Sequence, residues 1–378
     1  MGVKTLPTGW ELCKLGDFTI SKAGGTPSTS NRNYWGGEIP WMNSGELNLK
    51  RVGEVAGRIT ELGLAESSTS LIPAGCVLVG LAGQGKTRGT VAINEIELCT
   101  NQSIAAIFPN EKFDNEYLFY NLEKRYDELR LLSDGGGGRG GLNLSIINGL
   151  IIPCPTIKEQ KTIAQALRDI DLLIVNLKNE IKKIESVFTG LLDTLLNVKM
   201  FSHAKSSNLG DLCNVKTGSR NNQDKEADGL YPFFVRSDTI EYINSYSYTS
   251  QAILVPGEGR IGEIFHYVDG PHEVHQRVYR ISDPTPNVSL KYLYWYLKKY
   301  FGKHAMTNTV KATVDSLRLP TFLEFEIFFP DKIEQERIAT ILDDSNCVIL
   351  SLVTEMQKYE LIKQGMMHDL LTGKVRLV

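Results

Sequence analysis

Apolar residues recur at alternating steps of four and three through residues 163–195, which is the heptad spacing of a coiled-coil helix. The same spacing returns through residues 338–370, where Ser345 and Lys363 are the polar exceptions. Each pattern predicts a helix of about 40 residues and about 60 Å. The positions predicted to form the seam between the two helices are Ile163, Leu167, Ile174, Leu177, Ile181, Ile338, Leu342, Ile349, Leu352 and Met356.

The two helical segments are copies of each other. Residues 155–199 align with residues 330–374 without a gap, and Pro155, Glu159 and Gln160 recur as Pro330, Glu334 and Gln335. The tripeptide Leu-Gly-Asp occurs at 15–17 and again at 209–211, which is weaker evidence of the same duplication. An internal repeat of this length predicts four segments: globule one at 1–154, helix one at 155–200, globule two at 201–329 and helix two at 330–378.

Chain order predicts how the helices pack. Helix one must deliver the chain to globule two, so a packed pair brings helix two back antiparallel toward globule one. The expected molecule is a dumbbell with approximate two-fold symmetry. The alternative is that the helices pair with a second copy of the chain.

Short β-type runs, broken by Gly and Pro turns, predict mixed α/β globules. One helix is expected in each globule, at Asp114–Leu131 and at Ser289–Tyr300. The fold class is therefore α+β, with two mixed globules and two long antiparallel helices. The strands are expected at Cys76–Val79, Thr90–Ile93, Ile104–Phe108, Ala252–Val255, Ile264–Tyr267 and Val278–Ile281.

Composition narrows the class of protein without identifying it. The chain has 378 residues, 42% of them hydrophobic, and 41 basic against 44 acidic residues. Its net charge of −3 excludes binding to nucleic acid through bulk charge alone. With no long apolar run and no leader pattern, we expect a cytoplasmic protein without membrane contact. The six dispersed cysteines are expected to be reduced thiols, neither disulfide-bonded nor bound to zinc.

The segment from Gly80 to Thr87 matches the P-loop pattern G-x-x-x-x-G-K-[ST]. A working P-loop opens a helix, whereas Arg88-Gly-Thr-Val-Ala-Ile predicts a turn and a strand. The corresponding stretch around Arg260 keeps glycines and a cation but has lost the motif. We therefore expect a Gly-rich hairpin that places Gln84, Lys86 and Arg88 against DNA, or a plain hairpin with solvated charges.

Two further loops and two polar stretches supply candidate DNA contacts. Gly-rich residues 135–141 carry Arg139, and the counterpart region of globule two carries Lys311. For each loop the alternatives are contact with DNA and a role as a connector only. The polar stretches contribute Arg32, Asn43, Ser44, Arg220 and Arg236, and the Gly-rich stretch of globule two contributes Arg260. Tyr34, Trp35 and Phe233 favour the core.

We expect neither a catalytic nor a metal site. His272 and His275 are three residues apart in a predicted loop, and not four apart on a helix as in zinc proteases. The amino-methyltransferase motifs Asp-Pro-Pro-Tyr and Asn-Pro-Pro-Tyr do not occur. No set of Ser, His and Asp residues has a spacing that indicates a catalytic triad.

Several short motifs occur in a fixed order along the chain: Leu6–Trp10 with Leu15–Asp17, Gly24–Ser28 running to Ile39–Trp41, and the two Pro…Glu-Gln…Ile-Ala helix openings. Through these motifs nearly the whole chain resembles the specificity subunit of type I restriction-modification systems. The resemblance implies that each globule is a target recognition domain for one half of a split, asymmetric DNA sequence. It also implies that the helices space the halves and bind two methyltransferase subunits.

The resemblance assigns the chemistry to partner subunits. Methyltransferase subunits would use S-adenosylmethionine, and restriction subunits attached through them would use ATP and Mg²⁺, so this chain would bind no cofactor. Double-stranded DNA is then its ligand, although neither globule is basic. The alternatives are the targeting subunit of a type IIB-like system, a P-loop ATPase with a helical dimerisation arm, and a structural coiled-coil connector. The target sequence and spacer length do not follow from the residues.

Overall fold

A computed structural model describes residues 6–83, 85–133, 141–197, 204–307 and 316–377. Gln84, Arg139 and Lys311 lie outside these ranges. The chain forms two compact units, Met1–Lys178 with Glu355–Val378 and Asn179–Thr354. Each long helix contributes to both units, so the boundaries of the units differ from those of the four predicted segments. The four segments therefore remain a prediction.

The two long helices are present: α5 is Ile157–Leu195 and α9 is Lys332–Leu370. Within unit 1 they run antiparallel, because Asp171 pairs with Lys363 and Lys178 pairs with Glu360. Among the predicted seam residues, Leu352 and Met356 are half-buried. The other eight are buried: Ile163, Leu167, Ile174, Leu177, Ile181, Ile338, Leu342 and Ile349.

Unit 1 is built on a five-stranded sheet of order β2-β9-β6-β7-β4, a three-stranded sheet β5-β3-β8 and the antiparallel pair β1-β10. Its strands are β1 Glu11–Lys14, β2 Ser21–Ala23, β3 Trp35–Met42, β4 Arg51–Val52, β5 Gly57–Ile59, β6 Val77–Gly80, β7 Val91–Asn94, β8 Cys99–Thr100, β9 Ile104–Ile107 and β10 Ile151–Cys154. Its short helices are α1 Glu61–Ala65, α2 Asn115–Lys124, α3 Tyr126–Ser133 and α4 Leu144–Asn148.

Unit 2 has a four-stranded sheet β12-β18-β15-β16, a three-stranded sheet β14-β13-β17 and the antiparallel pair β11-β19. Its strands are β11 Lys205–Asn208, β12 Asn214–Thr217, β13 Tyr231–Phe234, β14 Ile240–Ile243, β15 Ala252–Pro256, β16 His266–Val268, β17 Glu273–Val274, β18 Val278–Ser282 and β19 Glu326–Phe329. Its helices are α6 Leu209–Leu212, α7 Leu290–Thr307 and α8 Leu319–Leu323.

The prediction of one helix per globule was wrong. Helices α1, α4, α6 and α8 have only four or five residues each, too few for an apolar period to become visible. The helix predicted from Asp114 to Leu131 is also interrupted at Arg125, whose backbone N–H donates to Leu122 O.

The start of each long helix is attached to its own globule through one buried glutamine. In unit 1, Gln160 Oε1 accepts the backbone N–H of Asp114 at 2.8 Å, and Nε2 donates to the carbonyls of Lys112 and Pro155. In unit 2, Gln335 Oε1 accepts the N–H of Ser289 at 2.8 Å, and Nε2 donates to the carbonyls of Asn287 and Pro330. Both glutamines are fully buried. This attachment of a long helix to its globule through a buried glutamine, here called the glutamine joint, therefore occurs twice in the chain.

Candidate nucleic-acid interface

The hairpin that carries Lys86 joins two buried strands of the five-stranded sheet. Strand β6 ends at Gly80 and the next regular element is β7, which begins at Val91. Gly80 N donates to Thr90 O, and Gly89 N donates back to Gly80 O, both at 2.9 Å. A strand therefore stands where a P-loop needs a helix, and the segment lacks the phosphate-binding helix N-terminus of an ATPase.

Lys86 lies in a cleft of about 400 Å³ that is shared with the 3₁₀ helix Ser44–Leu49 and with α2 and α3. Lys86 is exposed, and its carbonyl accepts from the Tyr126 hydroxyl at 3.0 Å. Lys50 across the cleft pairs with Glu123 at 3.1 Å. Two ammonium groups and the amide of Asn48 thus face one concavity, which is a chemistry suited to phosphate or base edges.

Arg88 is oriented differently from Lys86. Its side chain is half-buried, and its Nη1 donates to the Ser133 hydroxyl at 3.0 Å, at the end of α3. Arg88 therefore holds α3 against the hairpin. The predicted contact of Arg88 with DNA stays a prediction.

The polar stretch of unit 1 is largely occupied with its own folding. Asn43 caps the 3₁₀ helix that begins at Ser44, since its Oδ1 accepts Gly45 N at 2.8 Å and its backbone N–H donates to Glu46. Trp41 donates its indole N–H to Gly25 O at 3.0 Å. Arg32 is exposed, in the 3₁₀ turn Arg32–Tyr34.

In unit 2 the predicted cations that lie within the described residues, all of them arginines, contact carboxylates. Arg220 donates to fully buried Glu273 at 3.4 Å and to Ser245 at 3.2 Å, so it is anchored to the domain interior. Arg260 is exposed and pairs with Asp238 and Glu263, which together raise the pKa of its guanidinium. These contacts neutralise much of the local positive charge.

Arg236 belongs to a cluster that the sequence did not reveal. Its Nη1 donates to Glu258 at 3.2 Å, and Nη1 of Arg277 forms an ion pair with the other oxygen of the same carboxylate at 2.9 Å. Gln276 is bonded to Asn221 beside them. Arg277, Gln276 and Glu258 were missed because they come from two turns whose proximity only the sheet creates. The available signal was their position directly after β15 and directly before β18.

The carboxylate of Glu258 separates two clefts. One, of about 410 Å³, contains Arg277, Gln276 and Arg318 among its lining residues. The other, of about 330 Å³, contains Arg236, Asn222 and Ser237. Burial lowers the pKa of the adjacent His275, and Arg236 lowers it further, so this imidazole is neutral at pH 7. The surface therefore combines fixed guanidinium donors with amide and hydroxyl groups, as base-reading surfaces do.

One group of possible metal ligands lies together within the described ranges, formed by Glu11, Cys13 and Cys154. Their ligand atoms are within 4.8 Å of one another. Lys112 already pairs with Glu11, and burial raises the pKa of the Cys154 thiol to about 12. The Lys112 ammonium repels a metal cation and protonated thiols bind it poorly, so these residues are poorly suited to hold one. His272, by contrast, uses its ring nitrogens to contact Gly270 O and Arg280.

In the described part of the chain, no helix combines the length and the apolar character that crossing a membrane requires. All six cysteines are free thiols; Cys347 is exposed and the other five are buried.

Comparison with known proteins matches the chain twice to one family, the type I restriction modification DNA specificity domain, over residues 7–186 and 202–358. A relative from Methanocaldococcus jannaschii, the MjaVIII specificity subunit, is 22% identical over 98% of this chain and 94% of its own length. The MjaIX specificity subunit of the same organism is 33% identical over 48% of this chain, and that match spans only 42% of the relative.

Solved structures of similar fold cover the chain almost completely. An S subunit of a type I restriction-modification system from M. genitalium superposes with a TM-score of 0.71 at 16% identity, over 97% of this chain and 98% of that one. The HsdS subunit from Thermoanaerobacter tengcongensis gives a TM-score of 0.52 at 15% identity, over 99% of both chains. At such identities the likeness concerns the fold.

Proposed function

The chain belongs to the type I restriction modification DNA specificity family, and we propose from this that it selects the DNA sequence on which a multi-subunit complex acts. Unit 1 reads one half of a split, asymmetric target and unit 2 reads the other. The observation that carries the proposal is the duplicated joint at Gln160 and Gln335, which supports two globules with different loops. Repetition of the scaffold with divergence of the loops is what recognition of two unlike half-sites requires.

Charge pairing is consistent with recognition that depends on sequence. Phosphate contacts by free cations give affinity without specificity. In unit 2, Arg220, Arg236, Arg260 and Arg277 each contact a carboxylate. We therefore expect weak non-specific binding by the isolated chain, with much of the phosphate contact supplied by partner subunits.

The partners we propose are two methyltransferase subunits, with restriction and translocation subunits attached through them. Support comes from apolar side chains that remain exposed on the long helices, since exposed apolar surface marks protein interfaces. In unit 1 these are Leu172, Val175 and Leu361, and in unit 2 they are Val187 and Leu350. S-adenosylmethionine, ATP and Mg²⁺ would then be used by the partners. This chain would contribute no catalytic group, and the complex would act on DNA in the cytoplasm.

Sequencing of methylated bases tests this function. The chain is expressed with its methyltransferase subunit in a host that lacks other methylation, and modified adenines are mapped across the genome. We expect one split motif with a fixed spacer. The methyltransferase subunit alone is the control and should leave no motif. The proposal would be overturned by a motif that persists without the chain, or by one short continuous motif.

A further inference from the structure

Glu258 lies at the centre of the candidate interface of unit 2 and contacts two arginines from different loops. Its side chain is 21% exposed, whereas the side chains of Arg236 and Arg277 are 52% and 59% exposed. The carboxylate is therefore set inward, and the two guanidinium groups project from it toward solvent.

The backbone around Glu258 is fixed on both sides. Leu317 N donates to Gly257 O at 2.7 Å, and Glu258 forms an isolated antiparallel bridge with Ser316. A side chain at position 257 would come within 2.8 Å of the Tyr279 ring, so only glycine lets the turn lie this close to β18. The carboxylate is thus held by a rigid turn at the end of β15.

Arg236 donates one hydrogen bond to this carboxylate, and Arg277 forms an ion pair with it. Nη1 of Arg277 is 2.9 Å from Glu258 Oε1, and Nη1 of Arg236 is 3.2 Å from Oε2. A guanidinium carries five N–H donors in a planar fork. Donors of the fork therefore remain for a ligand, and the carboxylate restricts the orientation of the fork before the ligand arrives. Holding a side chain in its bound conformation lowers the entropy lost on binding.

The two arginines also lie in separate clefts. Arg277 lines the cleft that contains Gln276, and Arg236 lines the one that contains Ser237, with Glu258 common to both. A ligand that engages both must present two acceptor groups, one on each side of the carboxylate. In the major groove, guanine presents O6 and N7 to a bidentate arginine, which is the commonest specific contact between protein and DNA.

Two other arginines that the sequence suggested, Arg220 and Arg260, are less suitable for this role. Arg220 is directed to buried Glu273, and Arg260 is engaged by two separate carboxylates, Asp238 and Glu263. Only the Arg236 and Arg277 pair, among the described residues of this surface, shares one inward carboxylate.

We propose that Arg236 and Arg277 are specificity-determining residues of unit 2, each reading a guanine, and that Glu258 is the positioning residue that orients both. The proposal rests on the function proposed above. Arg236 and Arg277 contact the bases directly. Glu258 acts through them and does not itself contact DNA.

The test maps methylated sites in cells that carry the complete complex with Arg236→Ala, Arg277→Ala or Glu258→Gln. Each arginine variant should relax the preference at one G·C pair of one half-site roughly tenfold or more, and should leave the other half-site unchanged. Glu258→Gln should weaken the preference at both G·C pairs together. The matched control is Arg337→Ala, which removes an equally exposed arginine bonded to Glu334 on α9 of the same unit and should leave the motif unchanged.

Folding is checked by thermal unfolding of each purified variant. If an alanine variant unfolds, Arg236→Lys and Arg277→Lys replace it, because lysine keeps the charge but lacks the planar fork. Relaxation at the same G·C pair supports the proposal. Arginine variants that fold and keep every base preference overturn it, as does a motif whose unit 2 half-site contains no G·C pair.

Failure of this inference differs from failure of the proposed function. If the wild-type complex leaves no split motif, the function itself is wrong. If the wild-type motif is split but persists in all three variants, only the assignment of Arg236, Arg277 and Glu258 is wrong.

Discussion

Lys363 Nζ lies 2.8 Å from Asp171 Oδ1, at a position of α9 where the heptad pattern calls for an apolar side chain. Lys363 also pairs with Glu123 at 3.2 Å and stands over the Tyr120 ring. At the equivalent place in unit 2, Phe188 packs edge-to-face on Trp295 with ring centroids 5.5 Å apart. The two halves of the repeat thus fill one position with different chemistry, an ion cluster in unit 1 and an aromatic pair in unit 2.

Removal of the Lys363 ammonium should destabilise unit 1. Lys363→Ala leaves Asp171 and Glu123, both largely shielded from water, without their shared cation. We expect a loss of about 2 kcal/mol in the free energy of unfolding, measured by urea denaturation. Lys178→Ala, at the exposed pair with Glu360, is the control and should cost less than about 0.5 kcal/mol. Equal losses would mean that the cluster adds nothing beyond a surface ion pair.

The salt bridge between Arg376 and Glu159 should contribute far more to stability than the salt bridge of Glu334, the repeat equivalent of Glu159. Arg376 donates from two nitrogens to Glu159, whose side chain is only 2% exposed. Arg376→Ala leaves a buried carboxylate to which, among the described residues, Trp10 alone still donates, so we expect a loss of about 3 kcal/mol. Arg337→Ala removes an exposed arginine from the half-buried Glu334 and should cost less than about 0.5 kcal/mol. Chemical denaturation of both variants checks the difference, and a small effect at Arg376 would contradict it.

The two joint glutamines should be equally important. Gln160→Ala leaves an amide N–H and two carbonyls without their partner, and Gln335→Ala does the same in unit 2. We expect a loss of about 3 kcal/mol for each variant. Gln165→Ala changes an exposed residue of α5 and should shift the midpoint of thermal unfolding little. If one of the two variants kept the wild-type free energy of unfolding, the two joints would not be equivalent.

Acidification should destabilise unit 2 through His272. Its Nδ1–H donates to Gly270 O and its Nε2 accepts from Arg280, which is the pattern of a neutral ring. Burial lowers the pKa of His272, Arg280 lowers it further, and Glu273 opposes the shift. Because the folded state binds the proton less tightly than the unfolded chain, the stability is complete above about pH 6.5 and is lost as the pH falls below it.

The measurement for this prediction is thermal unfolding of the wild type and of His272→Gln between pH 7.5 and pH 5. His266 and His275 also have pKa values lowered by burial, so the variant should retain part of the pH dependence. A wild-type melting temperature that does not fall with pH would refute the assignment.

The sequence predicted those features that depend on periodicity and duplication. The long helices at 157–195 and 332–370 could be predicted because an apolar seam must recur with the turn of the helix. The inward turn of Arg88 could not be, since it depends on Ser133 at the end of a helix 45 residues away. Nor could the meeting of Arg236, Glu258 and Arg277, because Glu258 and Arg277 flank the paired strands β15 and β18 whereas Arg236 follows β13 of the three-stranded sheet.

The glutamine joint also bears on how such a chain can diverge. Gln160 and Gln335 bond to backbone amides and carbonyls at Asp114, Lys112, Ser289 and Asn287. Among the described residues of the globules, the Cys154 thiol at 3.5 Å is the one side chain that they contact by a hydrogen bond. A peptide group is the same whichever residue carries it. Mutations can therefore accumulate in the loops that we propose to read DNA while the attachment to the helix is inherited unchanged. An unrelated globule that offers the same few peptide groups could be grafted in its place by recombination.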